Sequence, residues 1–249
     1  MKKYLIMITA AVMILMLAAC GGTSDKPAGE TPEGKGTEQE EAAEESVHPY
    51  AWLGLEDMPE CDYLDALASN KYYKESDNYI KDMSYVSKEI NARDGINSYK
   101  KNENSLVYSV DGKTYSINEN SKSYMEKDMS DMAEDLQEQY DSAMENGTNI
   151  YGRKAHGTGS EAVPIYSKEK GDDAEYEYYE YNYPENEEDD NSTIERFYLK
   201  DGDVFAIYTK NTMGDTVVEF TEIIKKMTTE IPDGIFDVPD LSGYEKMDI

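Results

Sequence analysis

From Tyr72 to about Tyr124, apolar and polar side chains alternate with a period of two in short runs broken by turn residues. GINSYKK, NSLVYSV and KTYSIN read as strands. Leu106, Tyr108 and Val110 share one strand face, and Tyr115 and Ile117 share one on the next run. Asp111-Gly112 joins these two runs, and Asp-Gly between alternating segments signals a tight hairpin. Two stretches switch to helical spacing. Near the start, Tyr63, Leu64, Leu67 and Ala68 line one side; Asp57, Pro59 and Glu60 mark a helix start and Asn70 a stop. Trp52, with Tyr50 and Leu53, is expected to fold back on this segment as an apolar plug. The second helix is KDMSDMAEDLQEQYDSAMEN. Met129, Met132, Ala133, Leu136, Tyr140, Ala143 and Met144 form its stripe, Asp128 or Ser130 caps it, and Gly147 ends it.

The later chain is again strand-like. NIYGRKAHGTGSEAVPIYSKEKG has strand-like ends around a Gly-rich segment, His156 to Ser160, that reads as a plain loop. In AEYEYYEYNYPENEEDDNS, Tyr176 and Tyr178 alternate with acids, and Tyr179, Tyr181 and Tyr183 continue on the other parity, which suggests a bulge at 178/179. Tyrosine on one side and glutamate on the other suit an edge or solvent-facing strand. IERFYLK, DVFAIYTK and TVVEFTEIIKKM then form a meander, with turns at Asp201-Gly202 and Met213-Gly214-Asp215. Phe197 pairs in face with Leu199, Phe205 with Ile207, and Val218 with Phe220 and Ile224. IPDGIFDVP closes the chain, extended and apolar on alternate sides.

The first twenty residues, MKKYLIMITAAVMILMLAAC, follow another plan. Lys2 and Lys3 precede an apolar run to Ala19, with Thr9 its one frankly polar residue. A basic start, a short apolar core and small residues before a cut describe a secretory signal. A spanning helix needs about 20 apolar residues, and Gly-rich polar sequence follows instead. Leu17-Ala18-Ala19-Cys20 resembles the lipobox of bacterial lipoproteins. That resemblance implies cleavage before Cys20 and a diacylglycerol thioether on its sulfur; the plainer alternatives are an ordinary secretory signal or a short membrane helix. Two or three acyl chains hold a protein to a membrane where one does so only marginally. Residues 20–47 are Gly, Glu, Thr, Pro and Ala with almost no large apolar group, and read as a disordered acidic tether. The expected organisation is a signal peptide over 1–19, a lipidated tether over 20–47 and one domain over 48–249.

Charge narrows the partners. The formal net charge of −29 repels nucleic acid and anionic headgroups. It leaves cationic proteins, wall components or divalent cations. Glu185, Glu187, Glu188, Asp189 and Asp190 offer oxygen ligands, but their spacing matches no EF-hand loop, so a solvated loop is expected rather than a calcium site. With Cys20 lipidated, Cys61 stands alone and no intrachain disulfide forms; a packed, inert thiol is expected. Two histidines, His48 and His156, give little material for a metal centre or a Ser-His-Asp arrangement. No enzyme activity and no cofactor are expected. The 22 tyrosines against 4 phenylalanines suit strands that are half buried or line a wettable groove.

Short strands joined by Asp-Gly turns, with one helix before them and one in the middle, argue an α+β class with an antiparallel sheet. The order of entry helix, tyrosine-rich strands, VDGKTYSIN, the helix from Met129 to Met144, the RFYLKDGDVFAIY hairpin and IPDGIFDVP resembles the LolA-like lipoprotein group over roughly residues 60–240. The resemblance implies a strongly curved half-barrel sheet with two helices on its concave side, and a cavity that carries lipids or acylated proteins. Two functions follow. One is a membrane-tethered carrier of an amphipathic or lipid ligand, held in a cavity beside Met132, Leu136 and Tyr140. The other is an interaction module that binds a cationic protein or wall component along Tyr176, Tyr178, Tyr181 and Tyr183. Either would sit on the extracytoplasmic face of the cell membrane, in a single-membrane Gram-positive host.

Overall fold

The alternating runs condense into one sheet. Its strands are β1 (Lys71–Ile80), β2 (Val86–Asp94), β3 (Asn97–Lys101), β4 (Ser105–Val110), β5 (Lys113–Asn118), β6 (Ser123–Asp128), β7 (Lys154–Ala162), β8 (Glu175–Asn182), β9 (Asn191–Lys200), β10 (Asp203–Met213), β11 (Thr216–Thr228) and β12 (Glu245–Lys246). The computed structural model describes residues 47–183 and 191–247, all within the unit Val47–Ile249. The order across the sheet is β12-β6-β5-β4-β3-β2-β1-β11-β10-β9-β8-β7. All neighbours run antiparallel except β12, which lies parallel to β6. Two meanders, β1–β6 and β7–β11, are therefore fused through β1 and β11, whose register runs from Tyr73 opposite Thr228 to Ile80 opposite Phe220.

Local chemistry fixes the hairpins. Asp111 and Gly112 have φ of 51° and 74°, and Asp201 and Gly202 have 55° and 86°. Two successive residues at positive φ give the turn whose twist matches that of the flanking strands. Gly112 has a second duty, since a Cβ there would lie 2.8 Å from Ser130 Cα at the start of the main helix.

Among the described residues three helices accompany the sheet: α1 (Asp62–Ala68), α2 (Ser130–Asn146) and α3 (Tyr166–Lys170), with a 3-10 turn at Ala51–Leu53. Asp128 Oδ1 accepts from the Ser130 amide and hydroxyl, and Gly147 ends α2 at φ 65°. The entry helix is shorter than its spacing predicts. Asp57 to Glu60 stay outside it, and Cys61 in extended backbone precedes its first turn. The Cys61 thiol is buried, and burial pushes it up to about 11, as fits an inert packed cysteine.

One core cluster joins Tyr50, Trp52, Leu53 and Leu55 to Tyr63 and Leu64 of α1, Ala143 of α2, and Tyr181, Phe197, Val204 and Ile207 of the sheet. The expected plug is therefore present. A second cluster joins Tyr73, Tyr99, Leu106, Tyr108 and Ile117, and the chain after β11 packs Phe236 and Leu241 against it. That closing segment is not a strand. Turn bonds such as Asp237 N–H to Gly234 C=O fold it into a strap that ends in β12. A third cluster gathers Tyr79, Val163, Tyr198, Ala206, Tyr208 and Ile223.

Three further expectations need correction. Phe205 and Ile207 do not share a face: the register shifts between Val204 and Ala206, and Phe205 joins the third cluster while Ile207 joins the first. His156 to Ser160 is not a loop but the body of β7. One of its two glycines serves the neighbouring strand. A Cβ on Gly159 would stand 2.6 Å from the Tyr178 hydroxyl, so glycine leaves room for that ring. The irregularity expected at 178/179 lies on β7 instead, between Ala155 and Gly157.

Candidate functional site

Strand register sorts the two sides of the β1–β6 half. Lys74 is opposite Asn91, Asn91 opposite Lys100, Lys100 opposite Val107, Val107 opposite Ser116, and Ser116 opposite Met125. Opposed residues share a face, so this row and its neighbours Arg93, Glu89, Ser98, Ser109 and Thr114 form one side of the β1–β6 half. It is almost wholly polar. Two ion pairs cross it: Lys74 Nζ to Glu222 Oε1 at 2.7 Å, and Lys100 Nζ to Glu89 Oε2 at 2.9 Å. Burial opposes the charge on both Lys74 and Glu222, but their mutual attraction outweighs it. The carboxyl is held below the usual carboxylate range and the ammonium is raised.

The candidate cavity residues occupy successive turns of α2. Met132 is 42% exposed, while Leu136 and Tyr140 are half buried. Met125, on the polar row at β6, is 40% exposed. Tyr140 packs edge-on to Trp52, ring centroids 6.0 Å apart, and lies over the Arg93 guanidinium at 5.1 Å. One side of the helix therefore grades from exposed methionine at one end to a tyrosine-capped cation at the other.

Arg93 was not legible as a site residue. It projects from β2 among Tyr72, Tyr140 and Tyr151. It bonds to the Tyr140 side chain, and its Nη1 donates to Asn70 Oδ1 over a long 3.5 Å. Among the described residues no carboxylate comes within 4.0 Å of it, whereas Arg153 and Arg196 both have glutamate partners. Two buried donors nearby also lack acceptors: Trp52 Nε1 and Asn70 Nδ2. Burial pushes the Tyr151 hydroxyl up against the pull of Arg93, which keeps it neutral.

The tyrosine strand lies elsewhere than expected. β8 is interior, paired to β7 on one side and β9 on the other. Tyr181 is 1% exposed, and Tyr176, Tyr178 and Tyr183 are half buried. Tyr178 packs on Tyr198, Tyr176 on Phe205, and the Tyr183 hydroxyl donates to Glu195 Oε2. The expected edge belongs to β7. A depression of about 320 Å³ lies there beside His156, Tyr179 and Glu180, and a smaller one of about 90 Å³ lies at the β1–β2 turn by Tyr79 and Tyr85. Neither is lined by α2.

Cys20 and the acidic residues 185–190 lie outside the described residues. Among the described residues no cluster of three or more metal-ligating side chains occurs, and no helix is long and apolar enough to cross a membrane. Compared with protein-family models the chain matches none, and no curated protein matches it.

Proposed function

We propose that this is a lipid-anchored extracytoplasmic binding protein that holds an amphipathic ligand between α2 and the polar row of the sheet. The observation that carries the reading is the gradient along α2. Met132 and Tyr140 are eight residues apart, which is about 12 Å along a helix. An exposed apolar end and a cationic end at that separation suit a ligand with a tail and a polar head. The LAAC sequence ending at Cys20 supports the anchor and the membrane address.

In this reading the sheet curves as a half-barrel with α1 and α2 on its concave side. Chain length supports it. β6 and β7 are separated by ten strand spacings, or roughly 48 Å if the sheet were flat. The link between them is α2, about 25 Å long for its 17 residues, plus Met129 and residues 147–153. A flat sheet would need that link nearly taut, yet it includes Gly147 and Gly152 at positive φ. Both helices also share the first core cluster.

The test is a lipophilic fluorescent probe. The wild-type protein is expected to bind it saturably, and Leu136→Trp, which fills the middle of the groove, to weaken binding about tenfold, a loss of roughly 1.4 kcal/mol. No saturable binding by the wild type overturns the reading.

A further inference from the structure

We propose that Arg93, with Trp52, Asn70, Tyr72, Tyr140 and Tyr151 around it, is an oxyanion subsite that receives a carboxylate or phosphate group. The inference rests on the groove being a ligand site and names the chemistry of the ligand's head. The argument is one of missing acceptors. A guanidinium carries five N–H donors in a fixed fork that matches two anionic oxygens. Arg93 directs one long bond to Asn70 Oδ1 and a second to the Tyr140 side chain, and no carboxylate among the described residues answers its charge. Buried donors normally find partners, so each exception calls for a reason.

Two such exceptions belong to this set. Asn70 is 3% exposed, and its amide Nδ2 has no acceptor although its Oδ1 faces Arg93. Trp52 is 2% exposed, and its indole N–H also has none. Its ring stands 6.0 Å from both Tyr140 and Tyr151, two of the rings around the arginine. The set holds a guanidinium, an indole N–H and an amide N–H with no anionic partner among the described residues, which an oxyanion would supply. Two cations of this face are already matched, Lys74 by Glu222 and Lys100 by Glu89. Arg93 is itself half buried rather than sealed, so the subsite can be reached. A net charge of −29 works against anions at long range, so binding here depends on the local donors.

Trp52 is the only tryptophan of the chain and reports directly on this cluster. The experiment follows its fluorescence during titration with decanoate, dodecyl phosphate, inorganic phosphate and decanol. Saturable changes are expected with the two anionic amphiphiles. Arg93→Gln is expected to raise their dissociation constants tenfold or more, and Arg93→Lys to recover part of the loss. Asn70→Asp serves where Arg93→Gln fails to fold. It places a carboxylate beside the guanidinium at a position, φ 52°, that aspartate tolerates. It is expected to raise the melting temperature and abolish anion binding together. A response to inorganic phosphate, lost in Arg93→Gln, supports the subsite even if decanol and the amphiphiles give none, which would sink the amphipathic reading alone. Decanol and decanoate binding equally, unchanged by Arg93→Gln, overturns the subsite and leaves the groove standing. No response to any of the four overturns both.

Discussion

Lys74→Met is expected to cost about 3–5 kcal/mol of unfolding free energy at pH 7, the usual penalty for leaving one member of a buried pair alone. The Lys74 and Glu222 side chains are only 14% and 12% exposed. Removing the ammonium strands a carboxylate where burial already disfavours its charge. Replacing both, as Lys74→Met with Glu222→Leu, should recover most of the loss, because the desolvation cost disappears with the charges. The pH dependence separates this cause from lost packing. The folded Glu222 carboxyl titrates below its ordinary value of 4.5, so the pair's contribution is present above that pH. It fades as pH falls through the depressed folded value. In Lys74→Met the lone carboxyl titrates upward instead and is neutralised by acid. The gap between wild type and variant should therefore narrow between pH 7 and pH 4. Denaturant melts across that range check it, and a constant gap would show that packing, not the stranded charge, sets the cost.

Trp52→Ala is the second large effect, about 3–5 kcal/mol for a buried tryptophan. Trp52 is 2% exposed and joins three parts of the chain. Its ring meets Tyr140 of α2 and Tyr151 of the following loop, and its carbonyl accepts from the Ile150 amide at 3.2 Å. The C-terminal end of α2 is held largely through this residue, Tyr140 and Ala143. Trp52→Phe should cost much less, since it keeps a ring and removes an indole N–H that has no acceptor. Hydrogen exchange gives the local readout. In Trp52→Ala the amides of residues 140–146 should lose protection before those of β9 and β10. Uniform loss across the sheet would mean that α2 is not held by this contact.

What could be read from sequence followed how local each signal is. Asp111-Gly112 and Asp201-Gly202 fix their hairpins within two residues, and the apolar stripe of α2 declares itself within five turns. The pairing of β1 with β11 is not written locally, because it joins residues some 150 positions apart. β7 was hidden in a Gly-rich stretch where Gly159 makes room for Tyr178, a reason that exists only once β8 lies alongside. Phe205 was misplaced because one extra residue in a strand reverses the parity of everything before it. The Tyr176–Tyr183 run looked like an edge because its glutamates suggested solvent. Glu180 instead meets Arg196 in an ion pair inside the sheet.

Most of the candidate site escaped for a related reason. Tyr140 was visible as part of a helical stripe. The polar side of the β1–β6 half was not, because its serines, asparagines and lysines occupy positions that an alternating pattern assigns to water. Arg93 sits in an ordinary strand pattern, and nothing in VSKEINARD distinguishes it. The informative fact is an absence of carboxylates around it among the described residues, which depends on neighbours drawn from β1, α2 and the loop after α2.

The most direct test of the central claim is mass spectrometry of the protein purified from its own membranes, intact and then after organic extraction. The account predicts a chain that begins at acylated Cys20 and releases one further amphipathic molecule per protein, bearing a carboxylate or phosphate. An N-terminus that is uncleaved or unmodified would contradict the anchor. Extraction that yields nothing beyond the covalent lipid would contradict the ligand.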